Sequence, residues 1–311
     1  MDPYEVIQAL WLAFGAVVGA CMGSFANVVI ARMPRDESIV HPPSHCPNCK
    51  TPIKPWQNIP IASWLALRGR ARCCGTPISP RYVVVELLGA LGGFSVVLIH
   101  RPNVMAVFYG LMLWLLMCVA IIDWKHWFIP RALSLSLVVL GFVGNAVGAW
   151  WSGVPLQSAV TAASIMSGMG TVVGFTVVAV LLLGFTWLYR ATGRLGADEE
   201  AMGWGDAQLL AGIGACLGVN ALPWVLGLAS LSGTVIGGWV TLEYRMRVRR
   251  GEVAETVPEP TGNPDDDEWR PPEGSVQFGP FLALGAAMHV LMSSFLPDVD
   301  VTVIFRGLWE G

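Results

Sequence analysis

Residues 200–218 read EAMGWGDAQLLAGIGACLG. A carboxylate, Asp206, follows two glycines, Gly203 and Gly205, and opens into an apolar run. Read as a membrane helix, that run makes the chain polytopic and puts a charge at the mouth of a span. An unpaired charge at mid-bilayer costs at least about 2.5–3.5 kcal/mol, so such a residue is a functional candidate by default. The same apolar texture recurs outward in both directions. Of the 311 residues, 54% are hydrophobic and only 13% charged, and 14 are tryptophan. A soluble domain carries roughly 25% charged residues, so a soluble enzyme is excluded. The expectation is an all-α polytopic membrane protein.

A bilayer core needs roughly 20 apolar residues per helix. By that rule eight spans are expected, over about 6–30, 82–99, 104–122, 130–150, 160–189, 207–222, 223–242 and 277–296. The first apolar run lacks a preceding basic region and a small-residue cleavage site, so it reads as a retained span rather than a signal peptide. With the N-terminus outside, all 19 lysines and arginines except Arg101 and Arg306 fall in inside loops. That asymmetry is a strong positive-inside signal. The net charge of −3 says little, because the charges are segregated.

Two segments interrupt the apolar pattern. Residues 32–81 are polar, Pro-rich and hold four of the seven cysteines, at 46, 49, 73 and 74. An odd cysteine count with a CxxC cluster points to metal or reduced thiols in the cytosol rather than a disulfide framework. Residues 251–275 are acidic and Pro-rich and read as a disordered inside loop. The chain is thus divided into a first span (1–31), a small cytoplasmic subdomain (32–81) and a membrane core (82–311) carrying that loop. No convincing internal repeat stands out.

Asp206 has a candidate partner. Asp123 lies in AIIDWKHWFIP at the inside end of the third span, and two further spans return the chain to the same side before Asp206. Both carboxylates can therefore occupy one depth. Two carboxylates sharing a low-dielectric site hold one proton between them. This is the arrangement of an aspartic protease, in which one member activates water and the other polarises the scissile carbonyl. Gly203 and Gly205 allow positive φ and close backbone approach beside the Asp, suiting a substrate docked in extended form. The bland alternative, that each Asp caps a helix, explains Asp206 but not Asp123 at a C-terminal end, where the dipole disfavours an anion.

The chain resembles the type IV prepilin leader peptidases, which are GxGD-type intramembrane aspartic proteases. The resemblance runs along nearly the whole sequence. It rests on GSFANVVIARMP (23–34), HCPNCK (45–50), NIPIASWLALRGRARCCGTPISPRYVVVE (58–86), AIIDWKHWFIP, EAMGWGDAQLLAGIGACLG and VQFGPFLALGA (276–286), in that order. It implies cleavage of the basic leader of prepilins or pseudopilins at the cytoplasmic face of the bacterial inner membrane, with Asp123 and Asp206 as the dyad. It also implies N-methylation of the new terminus with S-adenosylmethionine. The partners it implies are prepilins and the bilayer, with no nucleic acid.

Departures from the family pattern bear on the subdomain. The family has two CxxC pairs, but here Ala71 stands at the first position of the second pair and Cys73 and Cys74 are adjacent. Zinc takes four tetrahedral ligands. Cys46, Cys49 and Cys74, with Cys73 or His45, can close a site; otherwise the subdomain is metal-free and held by packing. Lys125, Arg131 and Gln208 also depart from the family pattern without touching the dyad.

Glu86, a turn inside the second span, is a candidate for substrate-amine recognition, methyl transfer or pairing with Arg81; the alternative is snorkelling to the interface. Gly168, Gly170 and Gly174 read as close helix packing. No glycine-rich dinucleotide fingerprint follows a strand, so the methyl-transfer residues are not readable. Two other functions compete: a peptidase without methyltransferase activity, and a cation transporter. The latter is disfavoured because transporters bind ions near the midplane, on broken helices.

Overall fold

The computed structural model describes residues 2–192, 203–251 and 276–292. Among these it is all-helical, with two isolated antiparallel bridges and no sheet. The helices are α1 (Pro3–Arg32), α2 (Ala62–Ala66), α3 (Arg81–His100), α4 (Val104–His126), α5 (Arg131–Trp151), α6 (Leu156–Ala191), α7 (Trp204–Leu217), α8 (Leu222–Arg249) and α9 (Gly279–Met292). The expected acidic loop, 251–275, lies outside the described residues apart from Gly251.

Among the described residues six helices are long and apolar enough to cross a membrane: α1, α3, α4, α5, α6 and the segment containing α8. The expected spans at 207–222 and 277–296 correspond to α7 and α9, each described over 14 residues. The 14 residues of α7 rise only about 21 Å against a core of about 30 Å, while the residues after Met292 of α9 lie outside the described ones. Hydropathy reads apolar length and not helix ends. Here Gly218, at φ +79°, terminates α7 by donating its N–H to Gly214, and a 3-10 turn over Val219–Ala221 leads into α8. Buried residues cover almost every position of α7 from Asp206 to Ala215. It is an interior helix, its apolar character met by protein as much as by lipid.

Local signals set the helix ends. Asp2 and Asn103 cap α1 and α4 by accepting the N–H groups of Tyr4 and Ala106, each at 3.0 Å, as short polar side chains do at helix starts. Proline stands at the N-cap of α5, at Pro130, and of α6, at Pro155.

Glycines bring the helices together. Gly15, Gly19 and Gly23 on α1 face Gly93, Gly89 and the backbone of Glu86 on α3, and a β-carbon on Gly19 would collide with the Gly89 carbonyl. The four-residue spacing puts the small residues of each helix on one stripe, so the two backbones touch; this is how membrane helices pack without a hydrophobic drive. The expected packing role of Gly170 and Gly174 is borne out: they meet Gly214 and Leu210 of α7. Gly168 only approaches Phe142 at 4.0 Å. Gly141 and Gly212 do the same between α5 and α7. The core beneath the site, including Leu116, Val119, Ile122, Leu209, Leu210, Ile213 and Leu282, is fully or almost fully buried.

Candidate active site and cysteine cluster

Three chain segments converge at one end of the bundle. The first is the end of α4. Trp127 takes a left-handed backbone, φ +58°, and donates its N–H to the Asp123 carbonyl at 2.8 Å, which stops the helix. A bulky residue at positive φ is uncommon, and Pro130 then disfavours helix at Ile129. The chain therefore turns sharply after Asp123 and lays Ile129 across the site. The second segment is the start of α7, with Asp206 in its first turn. The third is the start of α9, where the Gln277 side-chain amide donates to the carbonyls of Asp123 and Trp124, each at 3.3 Å.

Asp123 and Asp206 are brought together. They are 5% and 8% exposed, and the residues beside each, Gly279 and Gly205, both pack on Ile129. Gly279 packs directly on the Asp123 carboxylate; a β-carbon there would collide with Oδ2 and sit 2.9 Å from Ile129 Cδ1. A β-carbon on Gly205 would sit 3.0 Å from Ile129 Cβ. Ile129 is thus the wedge between the two halves of the site. Gly279, Gln277 and Ile129 were not singled out from sequence as site residues. The available signal was the Gln-Phe-Gly-Pro run at the head of the last apolar segment, which places a glycine and an amide beside a helix start.

The glycines before Asp206 act differently from expectation. Neither adopts positive φ: Gly203 is extended at φ −79° and serves as the N-cap of α7. Gly205 is required for close approach to Ile129, while among the described residues a β-carbon on Gly203 would meet only Gly205 N, at 3.9 Å.

Glu86 is buried and accepts the Ile61 N–H at 2.6 Å. Its neighbour turn is tight: Ile61 sits at φ +62°, and Ala62 donates back to the Pro60 carbonyl. Asn27 donates to the Tyr82 carbonyl at 3.0 Å close by. Glu86 therefore ties the subdomain to the junction of α1 and α3. A cavity of about 380 Å³ lies beside this junction, lined by Cys21, Ser24, Phe25, Arg32, Asn58 and Pro60 among others.

The four clustered cysteines converge, with all four sulfurs within 4.8 Å of one another. Cys49 and Cys73 are 3.2 Å apart, Cys46 and Cys74 3.7 Å, and Cys73 and Cys74 3.8 Å. Four sulfurs about 2.3 Å from a tetrahedral zinc lie about 3.8 Å from each other, so the donor set fits that ion. His45 lies outside the cluster, its Nδ1 against the Pro43 carbonyl at 3.1 Å. The Thr76 hydroxyl and N–H hold the Cys74 thiol down, to about 6, and the Thr51 hydroxyl and N–H lower that of Cys49. The hydrogen bond with Cys49 pushes the Cys73 thiol up to about 12. The contacts with Thr51 and Thr76 thus favour the thiolate, the form that binds metal.

Comparisons with known proteins agree along most of the chain. Residues 17–101 match the Bacterial Peptidase A24 N-terminal domain and residues 110–238 the Type IV leader peptidase family. The chain is 34% identical to a prepilin leader peptidase/N-methyltransferase of Myxococcus xanthus, with 96% of each chain covered. It is 33% identical to one of Pectobacterium carotovorum, covering 94% of this chain and 96% of the relative. With one of Klebsiella pneumoniae it shares 38% identity over 71% of this chain and 91% of the relative. No solved structure matches the chain.

Proposed function

The chain belongs to the type IV leader peptidase family, and from that premise we propose that Asp123 and Asp206 are the pair with which it cleaves prepilin leaders. It is a prepilin leader peptidase and N-methyltransferase acting on type IV pilin-like substrates. The observation that carries the dyad is the burial of two carboxylates from different helices on either side of Ile129.

In the proposed mechanism one carboxylate is ionised and the other protonated. The ionised member takes a proton from a water lying between them as the water oxygen attacks the scissile carbonyl carbon. The protonated member donates to the carbonyl oxygen. Collapse of the tetrahedral intermediate breaks the C–N bond: its hydroxyl proton returns to the pair as the carbonyl re-forms while the pair gives a proton to the leaving amine, which restores one proton shared by the two carboxylates. Gly203, extended at φ −79° just ahead of Asp206, is where an extended substrate backbone docks. Gln277 and Gly279 hold the end of α4, and with it Asp123, in place. The positive-inside pattern supports a cytoplasmic catalytic face in the bacterial inner membrane.

Methyl transfer accompanies the peptidase in the named relatives. S-adenosylmethionine presents a carboxylate, an ammonium and a sulfonium. The cavity beside α1 offers Arg32 to the first and no acidic side chain to the others, so no methyl-transfer step is routed through it. The cysteine cluster is proposed to hold one structural zinc, which would cross-link the two ends of the subdomain. Purified protein incubated with a prepilin should release the leader, and with the methyl donor present the product should gain the mass of one methyl group. An intact prepilin after incubation would reject the peptidase reading; leader loss alone would leave a peptidase without the transferase.

A further inference from the structure

The two cysteine loops are a broken structural repeat with an offset of 25 residues. His45 bridges Pro52 as Arg70 bridges Pro77. The N–H of Cys46 donates to the Thr51 carbonyl at 2.9 Å, and that of Ala71 to the Thr76 carbonyl at 2.8 Å. Lys50 N–H returns to the Cys46 carbonyl at 2.9 Å, and Gly75 N–H to the Ala71 carbonyl at 2.7 Å. Ile53 donates to Ser44, and Ile78 to Gly69, at 2.9 and 2.7 Å. Lys50 and Gly75 share a left-handed backbone, φ +58° and +71°. The second thiol of each loop meets the threonine two residues on, Cys49 with Thr51 and Cys74 with Thr76, both at 3.2 Å.

The repeat differs where ligands matter. Cys46 corresponds to Ala71, so one of the four symmetric thiols is missing. At the loop tips Asn48 corresponds to Cys73, and each tip residue crosses to the opposite loop. Asn48 donates to Thr76 Oγ1 at 2.9 Å and to Cys74 Sγ at 3.8 Å, while Cys73 Sγ reaches Cys49 Sγ at 3.2 Å. The crossing is a property of the tip position, and it brings a cysteine placed there to the sulfur cluster.

We infer that Cys73 is a relocated zinc ligand: it moves the fourth thiolate two residues along the second loop, from the position of Ala71 to the tip, and restores a four-thiolate site. This rests on the proposed zinc site and not on the dyad, so the two can fail separately. The backbone at Ala71 keeps the hydrogen bonds of its Cys46 counterpart, so the original ligand position is still formed and lacks only the sulfur. A cysteine introduced there should take over from Cys73. On binding, Zn²⁺ displaces the thiol protons to solvent and no redox step is involved.

The test uses full-length protein in detergent, comparing wild type, Cys73→Ser and the double variant Ala71→Cys/Cys73→Ser. Metal is read by elemental analysis. Thiolate number is read from the ligand-to-metal charge-transfer intensity after cobalt(II) exchange. The inference predicts one zinc and four thiolates in the wild type, and loss of zinc or a three-thiolate spectrum in Cys73→Ser. The double variant should return to four. Wild-type protein without zinc, a Cys73→Ser spectrum identical to wild type, or a double variant that does not regain the fourth thiolate would each overturn it. Prepilin cleavage assayed on the same samples reports whether the membrane core has folded. Active enzyme without zinc would reject the relocated ligand and leave the peptidase reading intact.

Discussion

Replacing Gly279 by alanine tests the geometry of the carboxylate pair with the smallest possible change. The added methyl would collide with Asp123 Oδ2 and stand 2.9 Å from Ile129 Cδ1. Carbon and oxygen at ordinary contact sit near 3.5 Å, so the carboxylate or the start of α9 must retreat by about 1 Å. A misplacement of about 1 Å in a catalytic constellation costs about a hundredfold in rate, equivalent to about 2.7 kcal/mol at the transition state. Overpacking also costs about 1–3 kcal/mol of stability, so the rate must be measured on folded protein. Gly110→Ala is the control: it lies on the same helix as Asp123 with nothing within 4 Å of a β-carbon, and should be neutral or slightly stabilising. Initial rates of prepilin cleavage would be normalised to the folded fraction, read from thermal unfolding in detergent. The prediction is a fall of about a hundredfold for Gly279→Ala and wild-type rates for Gly110→Ala. A Gly279→Ala enzyme with wild-type specific activity would refute the placement of Gly279 against the catalytic carboxylate.

Three further outcomes follow from the packing. Gly19→Ala places a methyl against the Gly89 carbonyl and should destabilise the α1–α3 pair by about 1–3 kcal/mol, lowering the unfolding temperature without changing the rate per folded molecule. Glu86→Ala removes the acceptor of the Ile61 N–H, which costs about 1–3 kcal/mol and should loosen the subdomain, seen as faster proteolysis within residues 50–80; Glu86→Gln keeps an acceptor and should resist. Exhaustive chelation should remove zinc and expose all four clustered thiols to alkylation while leaving Asp123 and Asp206 in place, so cleavage should persist in protein that stays folded; thiols equally reactive before and after would contradict a bound metal.

The carboxylate pair was legible because charge in an apolar run is expensive and therefore conspicuous. The alternation of spans returned Asp123 and Asp206 to one side, and in the structure both are buried at the ends of α4 and α7 that meet Ile129. The residues that hold the pair were not legible, since nothing local marks Ile129 or Gly279; their importance comes from a contact between segments about 150 residues apart in sequence. Composition correctly indicated an all-helical membrane protein, and among the described residues six of the eight expected spans are long enough to cross. The end of α7 depends on the left-handed Gly218, a backbone event that hydropathy does not register. The freedom of Gly203 and Gly205 was expected to supply positive φ, whereas the structure uses Gly205 for proximity. The cysteine repeat escaped notice because its two copies share little beyond Thr-Pro-Ile, at 51–53 and 76–78. Equivalent hydrogen bonds, not equivalent residues, reveal it.

The central claim is that Asp123 and Asp206 act as one catalytic unit. The most direct measurement is the rate of leader release, followed by product mass, for Asp123→Asn, Asp206→Asn and the double variant in folded protein. Residues acting as a unit lose their contribution together. The account predicts that each single variant abolishes cleavage to the same low level as the double. Either single variant cleaving at the wild-type rate, or a double variant whose loss is the product of two independent partial losses, would contradict it.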